Sequence, residues 1–277
     1  TTESPTNTSY PTMTVYFNVS LQTGENGSWC GYSLDGIGNV SMNKLNETYF
    51  WAVNDAMTEG NHDVVFSCND TMGNTNSSPA TYLFISEVEI SSCRALVTSG
   101  VTYKLNQSVN TAVTCFTISA DNVTLDMNGF NITGSGGSTT RGVFVSGYSY
   151  TTIKNGYIYN FYYGIWLRYN SNNTLTNITA NSNNDGGIFL YFSSNNTLTN
   201  ITANSNNIGI SFYYASGNTM TNNEMSNNTN NLFIQVGSSN TDFDNTIDTT
   251  NIVDYSFRIY YNYSISDYIF DSTTAPD

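Results

Sequence analysis

The chain has 277 residues, enough for two domains or for one long repeat array. Twenty-one acidic residues against seven basic ones leave a formal charge of −14, which disfavours nucleic acid and anionic membrane surfaces as partners, because neither would be neutralised. A disordered chain is excluded by the 14% aromatic content and by a strict internal repeat. No signal peptide is legible and no apolar run approaches ~18 residues, so no membrane insertion is expected. Thr1 in place of Met reads as the start of a processed product or an excised fragment.

Residues 1–12 are polar, contain two prolines and read as an arm or linker, with pairing to a sheet edge as the other option. Residues 13–86 predict a small β-sandwich with strands near 13–21, 29–34, 38–44, 47–53, 62–69 and 81–86, separated by Gly-, Asp- and Asn-rich turns. Four cysteines allow three pairings, and their placement favours Cys30 with Cys68 and Cys93 with Cys115. Zinc needs close pairs, which separations of 38, 25 and 22 residues do not offer; with His62 the one histidine, no metal and no cofactor is expected. Disulfides imply an oxidising, extracellular location. The runs CGYSLDG (30–36) and EGNHDVVFSCNDTMGN (59–74) resemble the Ig-like modules of archaeal and bacterial cell-surface proteins. That resemblance implies that Cys30 and Cys68 link the two sheets. Calcium near Asp35, Asn69 and Asp70 competes with ordinary turn capping by these side chains.

Residues 87–277 predict a β-helix of about 22 residues per coil. Phe144, Trp166, Phe189, Ser211 and Phe233 are spaced by 22, 23, 22 and 22 residues, and Asn155, Asn177, Asn200, Asn222 and Asn245 follow at nearly the same step. A unit this short buries no core alone, so copies must stack. Few leucines and no helical period exclude a leucine-rich horseshoe. Val143/Val145, Ile165/Leu167, Ile188/Leu190, Ile210/Phe212 and Leu232/Ile234 are expected in one buried stack. A second holds Ile153, Leu175, Leu198 and Met220, continuing toward Phe243. Ile158, Ile178, Ile201 and Met225 form a thinner third. The Asn155 series is expected to be an inward ladder, and Gly142, Gly164, Gly187 and Gly209 mark a positive φ or a tight backbone approach. The entry, GVTYKLN followed by a cysteine pair and NVTLDMNG (122–129), resembles right-handed parallel β-helix surface proteins, including the NosD-like group of archaea. The resemblance implies a first coil capped by a Cys93–Cys115 bridge that shields its open edge. The copper association of that group does not carry over, since the coils contain no histidine. The Tyr-rich segment 255–277 reads as a last coil or a contact strip.

Sixteen Asn-x-Ser/Thr acceptors occur. Asn177 and Asn200 are expected to face inward, unmodified. Asn7, Asn18, Asn26, Asn39, Asn46, Asn69, Asn76, Asn106, Asn122, Asn131, Asn172, Asn195, Asn227 and Asn262 are the candidates for N-linked glycans. Asp126, Asp185, Glu224, Asp242, Asp244 and Asp248 do not share a coil position; Asp242 with Asp244, or Asp244 with Asp248, could reach the spacing of a sugar-hydrolysing pair. Arg141, Lys154 and Arg168 are the central bases. Tyr169, Tyr191, Phe192, Tyr213 and Tyr214 recur at one coil position and would stack on sugar rings or on a neighbouring subunit. The reading that follows is a non-enzymatic structural subunit of an extracellular filament, sheath or surface layer, meeting copies of itself in a heterologous, non-closing assembly. Carbohydrate binding or adhesion through the aromatic ladder is the alternative, and polysaccharide cleavage a further one.

Overall fold

The computed structural model describes residues 2–6, 8–22, 24–235, 244–254 and 257–259. Asn7, Asn262, Asp242, Phe243 and most of the Tyr-rich segment lie outside the described residues. Contacts divide the chain into a unit of residues 1–90 with 98–104 and a unit of residues 91–97 with 105–277. Every element among the described residues is a strand.

The first unit is two β-sheets. Thr2–Ser4, Val15–Ser20, Asn43–Lys44 and Tyr49–Asn54 make one; Gly27–Leu34, Gly60–Asp70, Thr81–Ile85 and three further strands make the other. Residues 1–12 take the edge-pairing option and supply two strands, one at an edge of each sheet. Thr2–Ser4 pairs with Val15–Ser20, and Thr8–Tyr10 runs parallel to Thr81–Ile85. Alternation in VYFNVS places Val15, Phe17 and Val19 in the core, where Phe17 stacks on Tyr32 at 4.2 Å. Cys30 is bonded to Cys68. These residues face each other on neighbouring antiparallel strands, so the bridge joins two strands of one sheet and does not link the sheets.

The second unit is a parallel β-solenoid. One wall is a seven-stranded sheet built by Ala95–Leu96, Phe116–Ile118, Arg141–Ser146, Tyr163–Arg168, Gly186–Tyr191, Ile208–Tyr213 and Asn230–Gln235. Each pairs in parallel with the equivalent strand one coil away, as Phe144, Trp166, Phe189, Ser211 and Phe233 do in register. Thr152–Tyr159, Thr174–Asn181 and Thr197–Thr202 fold around the remaining sides. The first stack is buried as expected from Val143 to Phe212, while Leu232 and Ile234 are half-buried. Each such Ile or Leu contributes roughly 1.5–3 kcal/mol. The second stack continues from Met220 to Ile247. The third separates into two: Ile158 pairs with Ala180, whereas Ile178 pairs with Gly156 and Ile201. Cys93 is bonded to Cys115, beside the strand that begins at Phe116.

Corners come from left-handed backbone. One coil turns at Tyr169, Asn172, Asn177 and Ser182 (φ 51°, 57°, 54° and 54°), and the next at Phe192, Asn195, Asn200 and Ser205 (φ 47°, 57°, 55° and 59°). Asn tolerates this region, which explains the Asn-rich turns. The asparagine ladder is therefore two kinds of ladder. Asn155, Asn177 and Asn200 stand on an outward corner; Asn177 donates to Asn155 at 3.1 Å and Asn200 to Asn177 at 3.0 Å. Asn177 and Asn200 are exposed, against the inward placement expected for them. Asn245 belongs elsewhere, to the buried ladder Asn173–Asn196–Asn218–Asn245, with successive amide contacts of 2.9, 2.9 and 3.0 Å. A second ladder joins the buried Asn183 and Asn206 to the half-buried Asn228. The glycine column owes its residue type to close approach: a Cβ on Gly187 would lie 2.7 Å from the Gly209 carbonyl oxygen and 2.9 Å from that of Ala180.

Candidate functional site

The seven-stranded wall carries aromatic side chains on its outer face. Strand alternation sends Val143 and Val145 inward and Phe144 outward, and the parallel register repeats this in each coil. Phe144 and Trp166 have ring centroids 5.5 Å apart, and Trp166 and Phe189 are also 5.5 Å apart. Ser211, fully buried, interrupts the column. Tyr213 bridges the gap, 5.1 Å from Phe189 and 5.1 Å from Phe233. Tyr163 flanks this column, stacked on Phe189 at 4.8 Å and 5.1 Å from Trp166.

Alongside runs a second column at the corner, Tyr169, Phe192 and Tyr214, with centroids 5.4 and 4.8 Å apart. Tyr191 connects the two, 6.2 Å from Phe189 and 4.8 Å from Phe192. The contact residues named from the sequence thus come together. The larger column, Phe144, Trp166, Phe189 and Phe233, was legible only as a spacing, because a one-residue offset decides which face an aromatic takes. Tyr157 and Tyr159 stack on each other at 6.3 Å on another wall, and Phe161 is fully buried.

Polar groups edge the strip. The Arg141 guanidinium lies 4.6 Å over Phe144 and 4.2 Å over Trp166, and that of Arg168 lies 4.8 Å over Tyr169. Burial pushes the Tyr163 hydroxyl far above the usual phenol range, and its hydrogen bond to Asp185 adds to the rise. Tyr213 is raised by burial and by the Asp185 charge. Both hydroxyls therefore stay protonated, as donors. Asp185 also accepts from Asn207 at 3.2 Å.

Three of the other acidic candidates are engaged by neighbouring side chains. Asp126 holds Lys154 at 3.4 Å and Asn155 at 3.1 Å; Asn204 contacts Glu224 at 3.3 Å; Asp248 bonds Thr250 and Asn251. No group of three or more His, Cys, Asp or Glu side chains able to hold a metal occurs among the described residues. In the first unit, Asp35 bonds His62 at 2.7 Å and Asp70 caps its own turn through Met72 and Asn74. Of the glycan candidates, Asn18 and Asn69 are half-buried, whereas Asn26, Asn39, Asn46, Asn76, Asn106, Asn122, Asn131, Asn172, Asn195 and Asn227 are exposed.

Residues 116–252, a little under half of the chain, match the family model described as a right-handed beta helix region. The second unit is thus a parallel β-helix in both sequence pattern and structure. No curated protein matches the chain in sequence. Among solved structures, the catalytic domain of a GH87 α-1,3-glucanase in complex with nigerose is similar at 10% identity, with 87% of this chain and 65% of that chain covered and a TM-score of 0.31. The family 28 exopolygalacturonase of Yersinia enterocolitica is similar at 10% identity, over 91% of this chain and 84% of that one, with a TM-score of 0.22. Fibronectin(III)-like modules of Clostridium thermocellum CbhA cover 31% of this chain and 93% of their own at 15% identity and a TM-score of 0.26. The sequence-based expectation of a non-enzyme is corrected by these neighbours, a glucanase and an exopolygalacturonase. At such identities and scores the likeness assigns no activity to this chain.

Proposed function

We propose that the solenoid is an extracellular polysaccharide-binding protein whose ligand lies along the aromatic wall. The observation that carries this is the chain of ring contacts Phe144–Trp166–Phe189–Tyr213–Phe233, in which Tyr213 spans the coil that has Ser211 in the column, with successive centroids 5.1–5.5 Å apart. Coils repeat at the ~4.8 Å inter-strand distance, close to the rise of one sugar in an extended glycan, so successive rings meet successive sugars. Phenol hydroxyls and the Asp185–Asn207 pair border the apolar platform and suit sugar hydroxyls. The corner column adds support. Tyr169, Phe192 and Tyr214 occupy left-handed backbone that suits Asn or Gly, at a cost of about 1–2 kcal/mol each. Strain retained on side chains of which Tyr169 and Phe192 are exposed points to a surface role. The two-sheet unit is read as an Ig-like module, and the two disulfides agree with an oxidising location. The aromatic platform does not favour the surface-assembly reading over this one.

The test is affinity electrophoresis against a panel of neutral and acidic polysaccharides, with the same mixtures followed for new reducing ends. Trp166→Ala should weaken retention roughly five- to tenfold, since a stacked ring contributes about 1 kcal/mol or somewhat more. Tyr16→Ala, an exposed aromatic of the first unit, should leave it unchanged. Retention of no polymer, or equal retention of both variants, overturns the proposal.

A further inference from the structure

We infer that the first two coils of the aromatic wall hold an anionic sugar, a uronate, with Arg141 and Arg168 as its ligands; this rests on the polysaccharide reading above. In this chain of only seven bases, Lys44, Lys104 and Lys154 are each paired with a carboxylate, to Glu47, Glu87 and Asp126. Arg141 and Arg168 have no ion pair among the described residues, and both lie on the strip. Burial chiefly lowers the Arg141 pKa; the neighbouring Tyr163 opposes this, and the Arg168 charge adds a smaller lowering. Two cations on one strip, neither paired with a carboxylate among the described residues, favour an anion placed beside them.

Unsatisfied donors point to the same place. Nε of Arg141 and Nε1 of Trp166 are buried and have no hydrogen-bond partner, although buried donors are nearly always satisfied. Both belong to the cluster in which the guanidinium sits 4.2 Å over the indole. A planar carboxylate matches a guanidinium, and stacking over the Phe144 and Trp166 rings holds that of Arg141 in place on the strip. The −14 net charge does not forbid such a ligand. Exposed charges act over about 8 Å at physiological ionic strength, so the local arginine pair outweighs distant acids. The strip is also polar in charge, with arginines on its early coils and Asp185 one coil beyond Tyr163. The uncharged part of the glycan is thereby assigned to Phe189, Tyr213 and Phe233.

The experiment uses the full chain and three immobilised polymers: a polyuronate, the same polymer after carboxyl reduction, and a sulfated neutral glycan. The polyuronate should be retained at least about tenfold more strongly than its reduced form, with a preference that fades as salt rises. Arg141→Gln and Arg168→Gln should each shrink that preference without abolishing binding of the reduced polymer. Arg141→Lys, which keeps charge but loses the fork, should retain part of it and guards against a folding defect. Equal retention of polyuronate and reduced polymer overturns the anion site while leaving the polysaccharide reading intact. Preferential retention of the sulfated glycan overturns the uronate assignment. Retention of none of the three overturns both readings.

Discussion

Replacing Asn196 by alanine tests the internal architecture of the solenoid most directly. Asn196 is 1% exposed. Its side-chain oxygen accepts from the Asn173 backbone N–H and from the Asn173 amide, both at 2.9 Å, and its own amide donates to Asn218 at 2.9 Å. After truncation the Asn173 N–H has no acceptor, because its one hydrogen bond is to Asn196. The Asn173 amide keeps its bond to Asn170 at 3.1 Å, and the Asn218 oxygen still accepts from the Asn196 backbone at 2.9 Å. One stranded backbone donor costs about 1–3 kcal/mol, and the half-lost amide with the small void adds roughly 1 kcal/mol. The expected loss is about 2–4 kcal/mol. Asn177→Gly is the matched control, since it deletes a rung of the exposed ladder while glycine accepts the left-handed backbone. Water replaces its bonds, so it should cost less than about 1 kcal/mol. Urea unfolding of the three proteins, followed by far-ultraviolet circular dichroism, measures both. Equal destabilisation by the two variants would refute the distinction between inward and outward ladders.

Gly187→Ala should destabilise by about 1–3 kcal/mol, because the neighbouring Gly209 and Ala180 carbonyls belong to paired backbone and cannot yield; an unchanged melting temperature would contradict the close-approach explanation. In the first unit, burial raises Asp35 but hydrogen bonds from His62 and the Asp63 backbone outweigh it, so its carboxyl titrates below the usual value. A depressed carboxylate stabilises above its unfolded pKa, about 3.9, and that contribution disappears as pH falls through the lower folded value. Asp35→Asn should therefore narrow the stability difference between pH 6 and pH 3 measured by thermal melts, and an undiminished difference would count against this role. Removing the Cys93–Cys115 bridge by paired serine substitution opens a 22-residue loop and should cost about 3 kcal/mol, read as a lower denaturation midpoint.

The coil period was legible because stacking copies must match at every level: strand, corner and core residue recur together. Facing was harder. In the NNTLTN motif, Asn172 and Asn195 are exposed at left-handed corners, while Asn173 and Asn196 beside them are buried. A shift of one residue exchanges inside for outside, and asparagine suits both environments, so composition alone does not separate them. Ile158 was misplaced by a two-residue offset that keeps the inward face: Ile178 pairs with Gly156, and the true partner of Ile158, Ala180, is small. Gly142, Gly164, Gly187 and Gly209 were found as a column, and close approach to the next coil is the option the structure selects. The strip's arginines were seen as isolated bases, since their stacking over Trp166 and Tyr169 depends on how side chains lean over neighbouring rings.

The buried ladder has a direction. Asn173 donates to Asn196, Asn196 to Asn218 and Asn218 to Asn245, each amide handing its proton toward the C-terminal end. Every coil therefore shows an acceptor to the coil before it and a donor to the coil after it. A whole coil copied into the series would find complementary groups at both seams, and one deleted would strand none. Residues 171–184 and 194–207 are the same fourteen letters, SNNTLTNITANSNN. Length in this molecule is thus a quantity that gene duplication can change one coil at a time, lengthening the aromatic wall by one ring with each addition.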